Sequence, residues 1–162
     1  MLCLHGKCQT AYSFKFCSRT LQKKLNKNIG MVFVNSPYGK SWYPETNNKA
    51  EIFHFLDQEI IDKKIKFLMG FSQGGTLIDD YLKNYDDREA SIDKVVIISG
   101  RNSGDTYLDI DLLNIYSHKD DIVPFDVRPT AYRSISEIEH DRGHIINLNK
   151  NISTAICDFI NS

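Results

Sequence analysis

Gly70-Phe71-Ser72-Gln73-Gly74 follows directly on the apolar run Ile65-Lys66-Phe67-Leu68-Met69 and leads into a helix-like segment. The five residues read G-x-S-x-G. A serine on a sharp strand-to-helix turn is lifted out of a sheet, where a histidine can reach it. The two glycines keep side chains away from a backbone that is cramped at that point. The pattern makes demands on the rest of the chain: a strand before it, a helix after it, and an acid and a histidine downstream.

Outward from this turn, two periodicities alternate. Short apolar runs rich in Val, Ile, Leu and Phe occur at 2–5, 31–34, 65–69, 94–98, 112–116 and 135–139. Several are nearly continuous in hydrophobicity, as strands buried on both faces are. Between them lie longer amphipathic stretches at 12–27, 49–62, 74–85 and 147–161, with apolar residues spaced by three and four. Those spacings predict helices that lay one face on a sheet. A further helix is expected after Pro124, cut short by Pro129. His54 falls on the 49–62 segment and is read as part of its packing face.

Strand and helix in alternation imply an α/β fold in three layers, with about six mostly parallel strands and helices on both faces. In such sheets the functional crevice lies beyond the carboxyl ends of the strands. The residues that carry chemistry fall there. His5-Gly6-Lys7-Cys8 follows the first strand and Ser72 the third. Asp120 and Asp121 follow the fifth, and His140 and His144 the sixth. Ser, Asp and His in that order form a set able to run acyl transfer. A serine hydroxyl is a weak nucleophile until a neutral imidazole takes its proton. The acid orients that imidazole and stabilises the imidazolium. Backbone N–H groups must hold the oxyanion, and the natural donors are those of Gln73, heading the helix, and Lys7, after the first strand. His5 is read as a structural residue of its loop, and His118 as a loop residue near the site.

Composition narrows the function classes. The 162 residues are enough for one compact domain with its own core. Lys+Arg 20 balance Asp+Glu 21, so no basic surplus points to nucleic acid and no polybasic block to a membrane surface. No apolar run approaches the roughly 20 residues of a membrane span. The opening Met1-Leu2-Cys3-Leu4 lacks a basic segment and reads as a strand rather than a secretory signal, so a cytoplasmic location is expected. Cys3, Cys8, Cys17 and Cys157 contain no C-x-x-C, which argues for reduced thiols and against a zinc or redox pair; Cys8 is placed beside the site. Asn151-Ile152-Ser153 is a glycosylation sequon that a cytoplasmic chain does not use.

Read together, these motifs resemble the FSH serine hydrolase family of the α/β-hydrolase superfamily. Leu2-Cys3-Leu4-His5-Gly6 is similar to its opening L-C-L-H-G, and Asn35-Ser36-Pro37 to its (D/N)-x-P. Gly70-Phe71-Ser72-Gln73-Gly74-Gly75 resembles its G-F-S-Q-G-A elbow, and Val96-Ile97-Ile98-Ser99-Gly100 its I-x-x-S-G strand. Asp120-Asp121-Ile122-Val123-Pro124 is similar to D-x-x-V-P, and His140-Asp141-Arg142-Gly143-His144 to H-x-x-G-H. The resemblance implies a single α/β-hydrolase domain over 1–162; the chain is shorter than typical members, which leaves little material for a lid. It implies Ser72 as nucleophile, Asp120 rather than Asp121 as the acid, and His144 rather than His140 as the base. Lys7 departs from the family, which commonly has an aromatic or apolar residue there.

The expected function is hydrolysis of a carboxylic ester or thioester through an acyl-enzyme on Ser72, with no metal or organic cofactor. The expected partner is a small acyl ester or thioester, with no nucleic acid and no membrane anchor. Trp42, Tyr43, Val123 and Ile145 are candidates for the wall of a shallow, open pocket. The alternatives are an acyl-protein thioesterase or lysophospholipase-like hydrolase, and a catalytically silent member of the fold that binds a ligand.

Overall fold

The structure, a computed structural model, describes residues 1–25, 29–45, 48–86 and 91–162. Six strands form one sheet: β1 (Leu2–Leu4), β2 (Val32–Val34), β3 (Phe67–Phe71), β4 (Lys94–Ile98), β5 (Leu108–Tyr116) and β6 (Tyr132–Glu139). Their spatial order is β2-β1-β3-β4-β5-β6. Every neighbouring pair is parallel. Chain order reverses direction at β1, which has β2 on one side and β3 on the other. A crevice is therefore expected between the loops that leave β1 and β3.

Among the described residues, five α-helices complete the layers: α1 (Ala11–Cys17), α2 (Arg19–Lys24), α3 (Lys49–Asp62), α4 (Gln73–Asn84) and α5 (Lys150–Asn161). Side chains alternate across each strand, and the two resulting sets bury different helices. Leu68, Val95, Ile97 and Leu112 pack with Ile52, Leu56 and Ile60 of α3 and with Leu77, Ile78 and Tyr81 of α4. Met69, Val96, Ile98 and Leu113 pack with Phe14 of α1, Leu21 of α2, and Ile152 and Ile156 of α5. The sheet is thus the middle of three layers.

Where the sequence reading differs, the cause is local. The stretch expected as one helix over 12–27 is two helices broken at Ser18, and its residues 26 and 27 lie outside those described. The buried Ser18 hydroxyl donates to the Phe14 carbonyl at 2.8 Å, the carbonyl that the Ser18 N–H also reaches. Such back-bonding bends helices. The strand expected over 65–69 lies two residues later, at Phe67–Phe71, and so leads straight into the turn at Ser72. β5 and β6 start earlier than expected, because the pairs Leu108–Tyr132 and Asp111–Ser134 extend the ladder through polar positions near the sheet edge. After Pro124 only a short 3-10 turn forms, Phe125–Val127. His54 is a correction: it sits on the exposed face of α3, while Ile52, Phe53, Leu56 and Ile60 supply the packing face.

Candidate active site

The elbow at the end of β3 is held open by contacts at two glycines. A Cβ on Gly70 would lie 2.6 Å from the backbone of Gly74 and Gly75. One on Gly74 would run into the carbonyl oxygens of Leu4 and His5 at the end of β1. No side chain fits either position, so x-Ser-x must be flanked by glycine for α4 to start this close to β1 and β3. Between them Ser72 takes φ 52 and ψ −118, a backbone that L residues rarely adopt. The consequence is a hydroxyl that projects beyond the sheet rather than capping α4, and no side-chain cap bond forms there.

Ser72 Oγ lies 2.8 Å from His144 Nε2. His144 Nδ1 lies 2.8 and 2.9 Å from the two oxygens of Asp120. With the imidazole proton on Nδ1, facing the carboxylate, Nε2 is left as the acceptor for the serine hydroxyl. Asp120 is buried, and its Oδ1 also accepts from the N–H groups of Ile122 and Val123 at 3.0 and 2.8 Å. Burial alone would push its carboxyl up. The Val123 N–H, His144, the nearby Ser99 hydroxyl and the Ile122 N–H outweigh it, so the group stays below its usual value and ionised.

The loop after β6 delivers His144 by a chain of backbone contacts. The His140 N–H bonds the Tyr116 carbonyl, the Arg142 N–H bonds His140 Nδ1, and the Gly143 N–H bonds Ser117 Oγ. Gly143 holds φ 65. The ring of Phe71 backs the His144 ring at 5.1 Å between centroids. Burial lowers the ordinary value of both His5 and His140, which keeps them neutral. His5 bonds the Gly6 carbonyl and packs on Trp42 at 4.8 Å. Neither His5 nor His140 hydrogen-bonds Ser72, and Asp121 is exposed.

A cleft of about 420 Å³ opens over Ser72 and His144. Its wall includes Lys7, Cys8, Gln73, Thr76, Arg101, Ile122 and Val123. Of the four residues expected to form that wall, only Val123 does. Trp42 is fully buried, and its Nε1–H donates to the His5 carbonyl at 2.6 Å. Tyr43 turns to Asp80 of α4, and Ile145 is 40% exposed but off the cleft. Trp42 instead supports the site from beneath, because its backbone N–H donates to Gln73 Oε1 at 2.9 Å. With Ser41 Oγ also bonded to that side chain, Gln73 ties the elbow to the 41–42 loop. Its own N–H, like that of Lys7, meets no acceptor among the described residues. Sequence reasoning missed Arg101, Thr76 and Ile122. Arg101 and Ile122 follow β4 and β5, where the strand-end rule already pointed. A second hollow of about 460 Å³, lined by His140, Asn147 and Asn149, contains neither Ser72 nor His144.

A parallel sheet in this order, with a serine elbow after β3 and the acid and histidine after β5 and β6, defines the α/β-hydrolase fold. Residues 1–52 match the family described as serine hydrolase (FSH1). The chain is 25% identical over 186 residues to an esterase of Drosophila pseudoobscura pseudoobscura, covering 89% of this chain and 64% of the esterase, so it spans under two thirds of that relative's length. Among solved structures, Arabidopsis thaliana SOBER1 superposes with a TM-score of 0.70 at 16% identity, over 99% of this chain and 96% of that one. A Bacillus cereus carboxylesterase does so with a TM-score of 0.71 at 12% identity, over 99% and 86%. The chain is thus similar to FSH serine hydrolases through its first third and shares its fold with these two proteins along nearly its whole length.

Proposed function

We propose that this protein is a serine hydrolase that cleaves a carboxylic ester or thioester through an acyl-enzyme on Ser72. The observation that carries the reading is the unbroken chain Ser72–His144–Asp120, with contacts of 2.8 to 2.9 Å at every step. As the Ser72 oxygen attacks the carbonyl carbon, its proton passes to His144 Nε2. The imidazolium is stabilised by the buried Asp120 carboxylate on its other side. The tetrahedral oxyanion is received by the N–H groups of Gln73 and Lys7, with the positive end of the α4 dipole behind them. His144 then gives the proton to the departing alcohol or thiol. Water enters and attacks the acyl carbon while losing a proton to His144, which then returns that proton to the departing Ser72 oxygen as the acid is released. The curated relative is named an esterase, which agrees with this chemistry. A cytoplasmic setting belongs to the same reading, and fractionation of tagged cells tests it.

The test needs no guess about substrate. A fluorophosphonate probe, read by intact mass, should add once to the wild type and not to Ser72→Ala. A folded wild type that stays unlabelled would remove the hydrolase mechanism.

A further inference from the structure

Two features of the cleft wall are not needed for ester cleavage as such. Of its nine lining residues two are cations, Lys7 and Arg101, and none is an acid. The carboxylate nearest the chemistry, Asp120, is buried behind His144 and bonded to it. Among the described residues neither Lys7 nor Arg101 forms an ion pair, whereas Arg128 and Arg133 are both paired with carboxylates. Arg101 is nevertheless held in place. Its N–H donates to Thr76 Oγ1 at 3.0 Å, in the first turn of α4, and its guanidinium donates to the Ile122 carbonyl. That contact uses one of five guanidinium N–H donors and leaves the others without a partner among the described residues.

We infer that the cleft takes an ester or thioester that carries a carboxylate, recognised by Arg101 and Lys7 while Ser72 attacks the carbonyl. The inference rests on the hydrolase reading above and names its substrate class. A guanidinium anchored at one edge presents a planar fork that matches a carboxylate in two parallel hydrogen bonds. A concave site with unpaired charge of one sign also concentrates ions of the other sign. Ile122 and Val123 supply an apolar stretch of wall for the short carbon chain between the two functional groups. A cleft for plain alkyl esters has no use for two unneutralised cations beside the nucleophile.

The experiment compares isosteric ester pairs. Monoethyl adipate against ethyl hexanoate places the carboxylate on the acyl side; acetoxyhexanoate against hexyl acetate places it on the alcohol side. In at least one pair the charged ester should have the higher kcat/KM, by roughly tenfold or more, the scale of one charge-assisted contact. Added salt should erode that preference through screening. The ratio within the pair, read in Arg101→Gln and Lys7→Gln, should fall toward unity in at least one variant, whatever happens to the absolute rates. Neutral esters turned over as well as charged ones in both pairs would overturn the substrate class and leave the hydrolase reading standing. A preference that survives both substitutions would overturn the assignment to these residues. No turnover of any ester, on a protein whose Ser72 takes no fluorophosphonate, would overturn the underlying reading as well.

Discussion

Ser72 is placed by geometry that works against its own comfort. At φ 52 and ψ −118 a Cβ crowds the backbone, and glycine is the residue that tolerates such angles. Strain of this kind amounts to roughly 1–3 kcal/mol per residue and persists only where the surroundings dictate it. Here they do: α4 begins against β1, and neither Gly70 nor Gly74 has room to let the turn relax. Two further non-glycine residues with positive φ, Cys8 at 64 and Ser99 at 50, flank the same crevice. A residue selected for stability alone would differ from the one present. Ser72→Gly should therefore be more stable than Ser72→Ala by about 1 kcal/mol in urea denaturation, reversing the usual order in which glycine costs unfolded-state entropy. Alanine equal to or better than glycine would mean that the elbow is not strained.

At the scale of elements, α4 does more than present the elbow. Its far end carries Asp79 and Lys83, whose side chains form a fully buried ion pair at 3.0 Å. Lys83 also donates to Asn102 Oδ1 at 2.6 Å and to the carbonyls of Gly104 and Thr130, both at 2.9 Å. Asp79 accepts from the Ser103 N–H at 2.7 Å and from the Tyr132 hydroxyl at 2.8 Å. The stretch between β4 and β5 holds no helix, so this polar knot stands in for one and fixes the segment that bears Arg101. Removing one partner of a buried pair leaves an uncompensated charge, at a typical cost of 3–5 kcal/mol. Lys83→Met should cost about that much, and adding Asp79→Asn should return part of it; a loss under about 1 kcal/mol would show the knot to be dispensable. Such a network is invisible in sequence. Its members are spread from residue 79 to residue 132, and an Asp–Lys pair four apart reads as an ordinary exposed helix pair. What sequence does expose is periodicity and turn chemistry. The strands over 94–98 and the helix over 49–62 are legible because their apolar spacing matches their environment, and the elbow because glycine is forced there. The sequence expects Trp42 on the pocket wall, but the direction of a single side chain off a loop is decided by packing, not by spacing. Ser18 breaks a helix for the same reason: its hydroxyl finds the Phe14 carbonyl only once the layer is assembled.

For the molecule as a whole, the buried titratable groups set how it responds to acid. His5 and His140 are buried, and burial lowers both below the ordinary histidine value, against the opposing pull of the Gly6 carbonyl on His5 and of Asp120 on His140. In the unfolded chain each histidine takes up a proton near pH 6.5, whereas in the folded chain it does so only at lower pH. Between those limits the unfolded state binds more protons, so stability falls as pH drops through about 6.5 and keeps falling until the folded-state values are reached. The carboxylates act further down. Asp120 lies below its usual value, and Asp111 is held down to about 2 by hydrogen bonds from Arg133 and Ser134. Their contribution is complete above the unfolded carboxylate value near 3.9 and is lost as pH falls through the folded ones. A thermal-unfolding series should therefore show two descents as pH falls, the first below about 6.5 and the second below about 4. The first descent belongs to the buried imidazoles at the ends of β1 and β6; on His140 burial outweighs the upward pull of Asp120, Asp141 and Glu139. His140→Gln leaves an acceptor for the Arg142 N–H but removes the titration, so it should shrink the first descent and leave the second alone. A first descent of equal depth in wild type, His140→Gln and His5→Gln would place the acid sensitivity elsewhere in the molecule.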